Sequence, residues 1–327
     1  MSLTASPRNN LIGIAFMLGA MASLPFIDVF AKILGSSGVP IVQIAFARMA
    51  FGALTFLPFA LHGAARAGSV ASLWPQQIWV HTLRAALLSG ATFLFFSSLK
   101  TLPIADALAI FFVQPIIVTA LGALILREAV DVRRWGAVGL GFVGILVILR
   151  PGMVAISAGS LLALGAGVAL ALYFLLSRWV AGGASAIAVT FQTNMIAAVA
   201  LACLMPWVWT APSPAQWAML AALGAIASFG HFLILRAYDH AEASLLAPLA
   251  YSEIIMATVL GWLVFGDFPD GYTFAGVGIL IAAALVLAWP ARVTARPHLS
   301  PNPSPPRALR PRPRAIKYAV WTRRPPT

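Results

Sequence analysis

Residues 121–130 read LGALILREAV and residues 135–149 read WGAVGLGFVGILVIL; later, residues 259–269 read VLGWLVFGDFP and residues 274–287 read FAGVGILIAAALVL. A shift of 139 positions lays Gln114 on Glu253, Glu128 on Asp267, Trp135 on Phe274 and Gly139 on Gly278. The stretch from Pro115 to Ile148 therefore returns as Ile254 to Leu287, and self-similarity at a fixed distance marks an internal repeat. Register is imperfect, because Pro115 and Pro248 interrupt the fourth helix of their halves at different depths.

Outward from this repeat the chain is a series of apolar runs. About 20 residues at 1.5 Å each cross the hydrocarbon of a bilayer. Ten candidate runs are found, roughly at 11–34, 40–61, 80–99, 104–126, 135–149, 158–178, 186–208, 215–236, 243–266 and 271–290. The fifth is short. Turn residues punctuate the series at Gly35–Pro40, Arg150-Pro151-Gly152 and Ala211–Pro214. Backbone groups in lipid need partners within their own segment, so these runs are helices. The alternation of period two that a membrane barrel would need is not found. The expected fold is an all-α integral membrane protein with ten transmembrane helices. Five helices per half means that the second half enters from the opposite face, so the halves are inverted repeats, at 11–149 and 158–290. Such repeats place a site at their interface near the midplane and suit alternating access.

Composition agrees. Of 327 residues, 61% are hydrophobic and only 9% charged, and the mean hydropathy is +0.92. A soluble domain carries roughly a quarter charged residues, so a soluble enzyme and a disordered chain are both excluded. The net charge of +12 would ordinarily suggest nucleic acid. Residues 291–327 hold nine of the basic residues, nine prolines and no acid, which leaves only +3 for residues 1–290. That segment reads as a basic, Pro-rich, disordered cytoplasmic tail. No nucleic-acid partner is implied, although an anionic inner leaflet could attract the tail.

With the N-terminus in the cytoplasm, Arg8, Arg66, Arg84, Arg127, Arg133, Arg134, Arg178 and Arg236 lie inside, and only Lys100 and Arg150 outside. Eight against two obeys the positive-inside rule. Both termini are then cytoplasmic, in a multi-pass protein of the inner membrane. A cleaved signal is the rival reading of Arg8, Leu11–Leu18 and Ala20-Met21-Ala22, but the apolar run continues to Leu34, which a signal would not need. The single Cys203 excludes a disulfide framework and a multi-cysteine metal site. Gly139-Leu140-Gly141-Phe142-Val143-Gly144 fits GxGxxG, yet it lies inside an apolar run where glycines let helices approach. Neither a Walker sequence nor HExxH is present; no cofactor, metal or enzymatic activity is expected.

The order of short motifs resembles the EamA-type domain pair of the drug/metabolite transporter superfamily. In the first half the resemblance rests on Asp28–Lys32, on Arg48 within QIAFARMAFG and on Leu102–Ala107. It continues through Gln114-Pro115, Leu126-Arg127-Glu128 and Trp135-Gly136, and in the second half through LAPLAYSEIIMATVLGWLVFGDFPD at 246–270. It covers residues 11–290 and implies a ten-helix, small-molecule permease of the inner membrane, with amino acids or related compounds as the leading substrates. Asp267 departs from the family, which usually has Glu there.

Ionisable groups at membrane depth are expensive, so each invites a functional role. Asp28 and Lys32, four apart, can pair on one helix face. With Arg48 they fall in the outer half, as an extracytoplasmic gate, a site for a charged substrate or a fixed structural pair. Glu253 is near the midplane, where a carboxyl can couple protons, ligate a cationic substrate group or hydrogen-bond between helices. Tyr251 and Ser252 adjoin it, and Gln114 is its counterpart in the first half. His231 is either a titrating group or a packed one. The expected partners are a small-molecule substrate, the bilayer and H⁺, with the chain a monomer or homodimer. The alternatives are a lipid-carrier flippase or accessory subunit, whose members tend to have four helices. A membrane-embedded enzyme would need His and acid clusters at one interface, and the sequence has none.

Overall fold

The computed structural model describes residues 7–66, 68, 77–125, 132–150, 157–180, 186–241 and 246–288. The expectations for Glu128 and for the 291–327 tail lie outside them. The described residues are helical, with no strand among them. The helices are α1 (Pro7–Ser23), α2 (Pro25–Ser36), α3 (Ile41–Arg66), α4 (Ile78–Ser98), α5 (Ile104–Phe111), α6 (Gln114–Ile125) and α7 (Val132–Leu149). They continue as α8 (Ala158–Val180), α9 (Ala186–Ala202), α10 (Met205–Val208), α11 (Pro214–His240), a 3₁₀ turn (Ala247–Tyr251), α12 (Ser252–Phe265) and α13 (Gly271–Ala288).

Each apolar run of the sequence is found helical, but four are broken, and a proline stands at every break. Pro25 parts α1 from α2, Pro115 parts α5 from α6, Pro206 opens α10, and Pro248 sits in the 3₁₀ turn before α12. Proline has no N–H for the carbonyl four residues back and its ring crowds that carbonyl. At Pro115 the carbonyl concerned is that of Phe111. A Cβ on Gly167 of α8 would lie 2.8 Å from that oxygen, so glycine is required where α8 crosses the break. Ends are set locally. Ser213 and Gln216 form a reciprocal capping box on α11. Gly266, at φ 74°, closes α12 with bonds from its N–H to Trp262 O and from Asp267 N–H to Gly261 O. Asp270 Oδ1 accepts from Thr273 N–H at 2.8 Å and caps α13.

The segments Asn10–Ser36, Ile41–Arg66, Ile78–Ser98, Ala158–Ser177 and Pro214–Ile234 are long and apolar enough to cross a membrane, and five shorter apolar helices accompany them. Large apolar side chains face outward along them: Leu11, Leu54, Phe59, Val199, Ile255 and Leu263 are all exposed. A soluble monomer rarely shows so much apolar surface; lipid is the solvent that suits it.

The packing repeats on exchange of the halves. α4 packs on α8 as α1 packs on α11; α3 packs on α11 as α9 packs on α4. α3 with α9, and α7 with α13, pair with their own counterparts. Glycines bring the last pair together: a Cβ on Gly276 would meet Gly144 O at 2.8 Å, and one on Gly144 would meet Gly276 O at 3.1 Å. The GxGxxG stretch is thus a packing surface at Gly141 and Gly144, whereas Gly139 faces open space. The largest core cluster runs through α2 to α8, α11, α12 and α13, with Leu34, Ile44, Leu99, Ile104 and Leu280 fully buried.

Candidate functional site

Two clusters of polar groups stand out, and they occupy different places. The first lies at the end of the bundle opposite the N-terminus, called distal below. Hydrogen bonds gather the turns there. Gln43, fully buried, exchanges two bonds with the backbone of Thr210, and Gln216 donates to Ser37 Oγ at 3.1 Å. Lys32 Nζ is 2.7 Å from Asp267 Oδ2, donates to Leu102 O at 3.2 Å and stands 4.7 Å from the centre of the Phe265 ring. The Asp28–Lys32 pairing suggested by their spacing is therefore not formed. The lysine arm reaches a residue 235 positions away, on the other half. Beside it, Arg150 meets Asp270 at 2.6 Å and lies over the Tyr272 ring at 4.8 Å. Arg150 ends α7 in a left-handed conformation, φ 46°. Asp106 is close by, and its Oδ1 is sealed without a partner. The Thr273 N–H and the neighbouring Arg150 hold the exposed Asp270 carboxyl below the usual carboxylate range.

The second cluster is internal. Asp28 on α2 is buried, and Arg48 on α3 and Glu253 on α12 are half-buried. Asp28 lies within electrostatic range of both Arg48 and Glu253, and Arg48 within range of Tyr173 and His231. Asp28, Arg48 and Glu253 nonetheless form no ion pair with one another. Arg48 instead donates from Nη1 to Thr92 Oγ1 at 2.9 Å. A cavity opens at Arg48 between α3, α4, α8, α9 and α11. Its apolar wall includes Phe56 and Leu88, and Tyr173 adds a ring. Thr193, Asn194 and Ser228 supply a polar strip opposite Gly52. His231 completes the lining, with Nδ1 2.7 Å from Ala227 O. That carbonyl can only accept, so Nδ1 carries the hydrogen and Nε2 is left for the cavity.

Tyr173 is itself held in place. Arg84, 4% exposed, has its guanidinium 5.3 Å from the Tyr173 ring centre and donates from Nε to Ser177 Oγ at 3.0 Å. Ser177 in turn donates to Tyr173 O.

Of the residues singled out in the sequence, Asp28, Arg48, Glu253 and His231 are brought together, and Lys32 is placed apart in the distal cluster. Tyr251 is buried and stacks on Phe112, ring centres 4.9 Å apart. Gln114 and Glu253, matched by the 139-residue shift, each stand at the start of the half-helix that follows a break, α6 and α12. The residues that sequence reasoning missed are Thr193, Asn194 and Ser228 in the cavity, Thr92 against the Arg48 guanidinium, and Asp106, Asp270 and Thr273 at the distal end. Asp270-Gly271-Tyr272-Thr273 carried a legible helix-cap signal; the others are single polar residues in apolar helices.

A family model described as "EamA-like transporter family" matches residues 11–150 and 157–289. The S-adenosylmethionine uptake transporter of Rickettsia prowazekii (strain Madrid E) is 26% identical over 282 residues, 86% of this chain and 94% of that protein. A riboflavin transporter of Vibrio cholerae serotype O1 is 28% identical over 263 residues, covering 79% of this chain and 87% of that one. A solved crystal structure, 18% identical, superposes with a TM-score of 0.59 over 86% of this chain and 96% of its own, a likeness of fold.

Proposed function

The chain belongs to the EamA-like transporter family, and from that premise we propose that it moves an amino acid or related metabolite across the inner membrane by alternating access, driven by H⁺. As a member of that family it is a multi-pass small-molecule permease and not an enzyme. The finer reading takes residues 11–149 and 158–290 as the two inverted repeats, with both termini cytoplasmic and the distal end outward. In this reading the cavity at Arg48 is the substrate site, and Glu253 and Asp28 are the proton-coupling acids beside it. Lys32–Asp267 and Arg150–Asp270 close the extracytoplasmic gate.

One observation carries it. Asp28 stands within electrostatic range of Arg48 in its own half and of Glu253 in the other, none of them ion-paired with another, and Arg48 lines a cavity, while ion pairs draw the distal end together. Unpaired interior charge is costly in a membrane and is kept where it works on an ion or substrate. The test is Glu253→Gln in proteoliposomes. Uptake driven by a pH gradient should vanish while substrate counterflow, which needs no net proton movement, persists. Undiminished gradient-driven uptake would overturn the coupling role.

A further inference from the structure

We infer that the cavity is an anion site, in which Arg48 takes a carboxylate or phosphate of the substrate side-on, through its Nε and Nη2 hydrogens. The inference rests on the permease reading and adds the chemical class of the cargo.

Arginine presents five N–H groups in a rigid fork, and two oxygens of one anion fit two parallel N–H bonds. Here both hydrogens of Nη1 are engaged, one by Thr92 Oγ1 at 2.9 Å and one by Met49 Sδ at 3.8 Å. Thr92 spends its own hydrogen on Leu88 O at 2.9 Å, so its oxygen faces the guanidinium as an acceptor and fixes it. The Nε and Nη2 edge has no partner among the described residues, and neither atom is among those sealed from space. That edge is the one that binds carboxylates in pairs. Asp28 acts on Arg48 only at longer range.

The rest of the lining fits this role. It includes no carboxylate. Ser228 and Thr193 spend their hydrogens on Gly52 O and Val189 O, at 3.2 and 2.8 Å. Their oxygens remain as acceptors for an N–H of the cargo. Tyr173, braced by Arg84, offers a flat face against which a ring can lie. The cavity is small as it stands, so its lining sets the chemistry of the cargo's ends, an anionic group on Arg48 and N–H donors on Ser228 and Thr193, with the Tyr173 ring beside them.

The test measures binding to the full-length chain in nanodiscs, by competition against the tightest member of a panel. The panel comprises benzoate, phenylacetate and indole-3-acetate, each with its carboxamide and its amine, together with phenyl phosphate. At least one anion should bind, its carboxamide and amine should compete far less, and phenyl phosphate against the carboxylates tells which anion is preferred. Arg48→Gln should weaken the anion by about 30-fold or more, the usual loss when one partner of a buried charge pair is removed. Arg48→Lys, which keeps the charge and loses the fork, should fall between and also control for folding. Equal competition by amine and acid, unaltered affinity in Arg48→Gln, or no anion binding at saturating concentration each overturns the inference. Counterflow of the bound anion separates the two readings. Arg48-dependent binding without counterflow sustains the anion site and overturns the permease reading. Counterflow indifferent to charge does the reverse.

Discussion

If Lys32 and Asp267 close one face of the transporter, breaking them should open that face by an amount the geometry sets. At 2.7 Å and an effective dielectric constant of about 20, the attraction is about 6 kcal/mol before costs. The side chains are 17% and 31% exposed, so the pair is neither free in water nor sealed. Exposed pairs net about 0.2–1 kcal/mol, and hydrogen bonds to charged groups about 1.5–3 kcal/mol. A coupling of about 1.4 kcal/mol, a tenfold change in an equilibrium, is the consistent middle value. The assay replaces Cys203, the chain's one cysteine, by serine and introduces Ser98→Cys, a near-isosteric change at a fully buried site in the last turn of α4. Its reaction with a membrane-impermeant maleimide then reports how often the distal end opens. Lys32→Met and Asp267→Asn should each raise the labelling rate about tenfold. The double variant should add little, because either change already removes the interaction. Lys32→Met should show the larger effect of the two, since it also loses Leu102 O and the Phe265 ring. A double variant that labels as the product of the singles, or singles that label like the parent, would refute the gate role.

Two further outcomes test the fold and its surface electrostatics. Gly276→Ala should lower the melting temperature in detergent, by the roughly 1–3 kcal/mol that overpacking costs, because the new methyl meets Gly144 O at 2.8 Å. Gly278→Ala, with nothing within 4 Å, should melt like the parent; equal losses would mean that the glycines serve the helix backbone and not the α7–α13 contact. Asp270 has its acidity raised by the Thr273 N–H and Arg150, so its stabilisation is present above the carboxyl's unfolded value and is lost as pH falls through the lower folded one. Asp270→Asn should therefore flatten the part of the melting-temperature decline seen below about pH 4; an unchanged acid profile would exclude the contribution.

The helices were legible because lipid leaves a long apolar run almost no other structure. The breaks were legible only in part. Pro115 and Pro248 interrupt corresponding helices of the two halves and so show as breaks, whereas Pro25 lies in the middle of one apolar run with no counterpart at the 139-residue shift. Glu253, Asp28 and Arg48 could be singled out because charge in lipid is costly wherever it points. Which charge would meet which could not be read. Helical spacing favoured Lys32 with Asp28, but a flexible four-carbon arm and a tertiary contact between halves took Lys32 to Asp267. The cavity was the least legible part. Thr193, Asn194 and Ser228 are ordinary residues in apolar helices, and only the crossing of five helices sets them around one space.

The pairing of α3 with α9 and of α7 with α13 has a historical consequence. Each joins a helix to its own counterpart, so a chain of half this length could form the same contacts with a second copy inserted upside down. Such an ancestor would need both orientations in one membrane, and so nearly balanced charge on its two faces. Fusion of two copies removes that demand. Each half is then free to gather its own arginines at one face, and matched positions are free to differ, as Gln114 and Glu253 do.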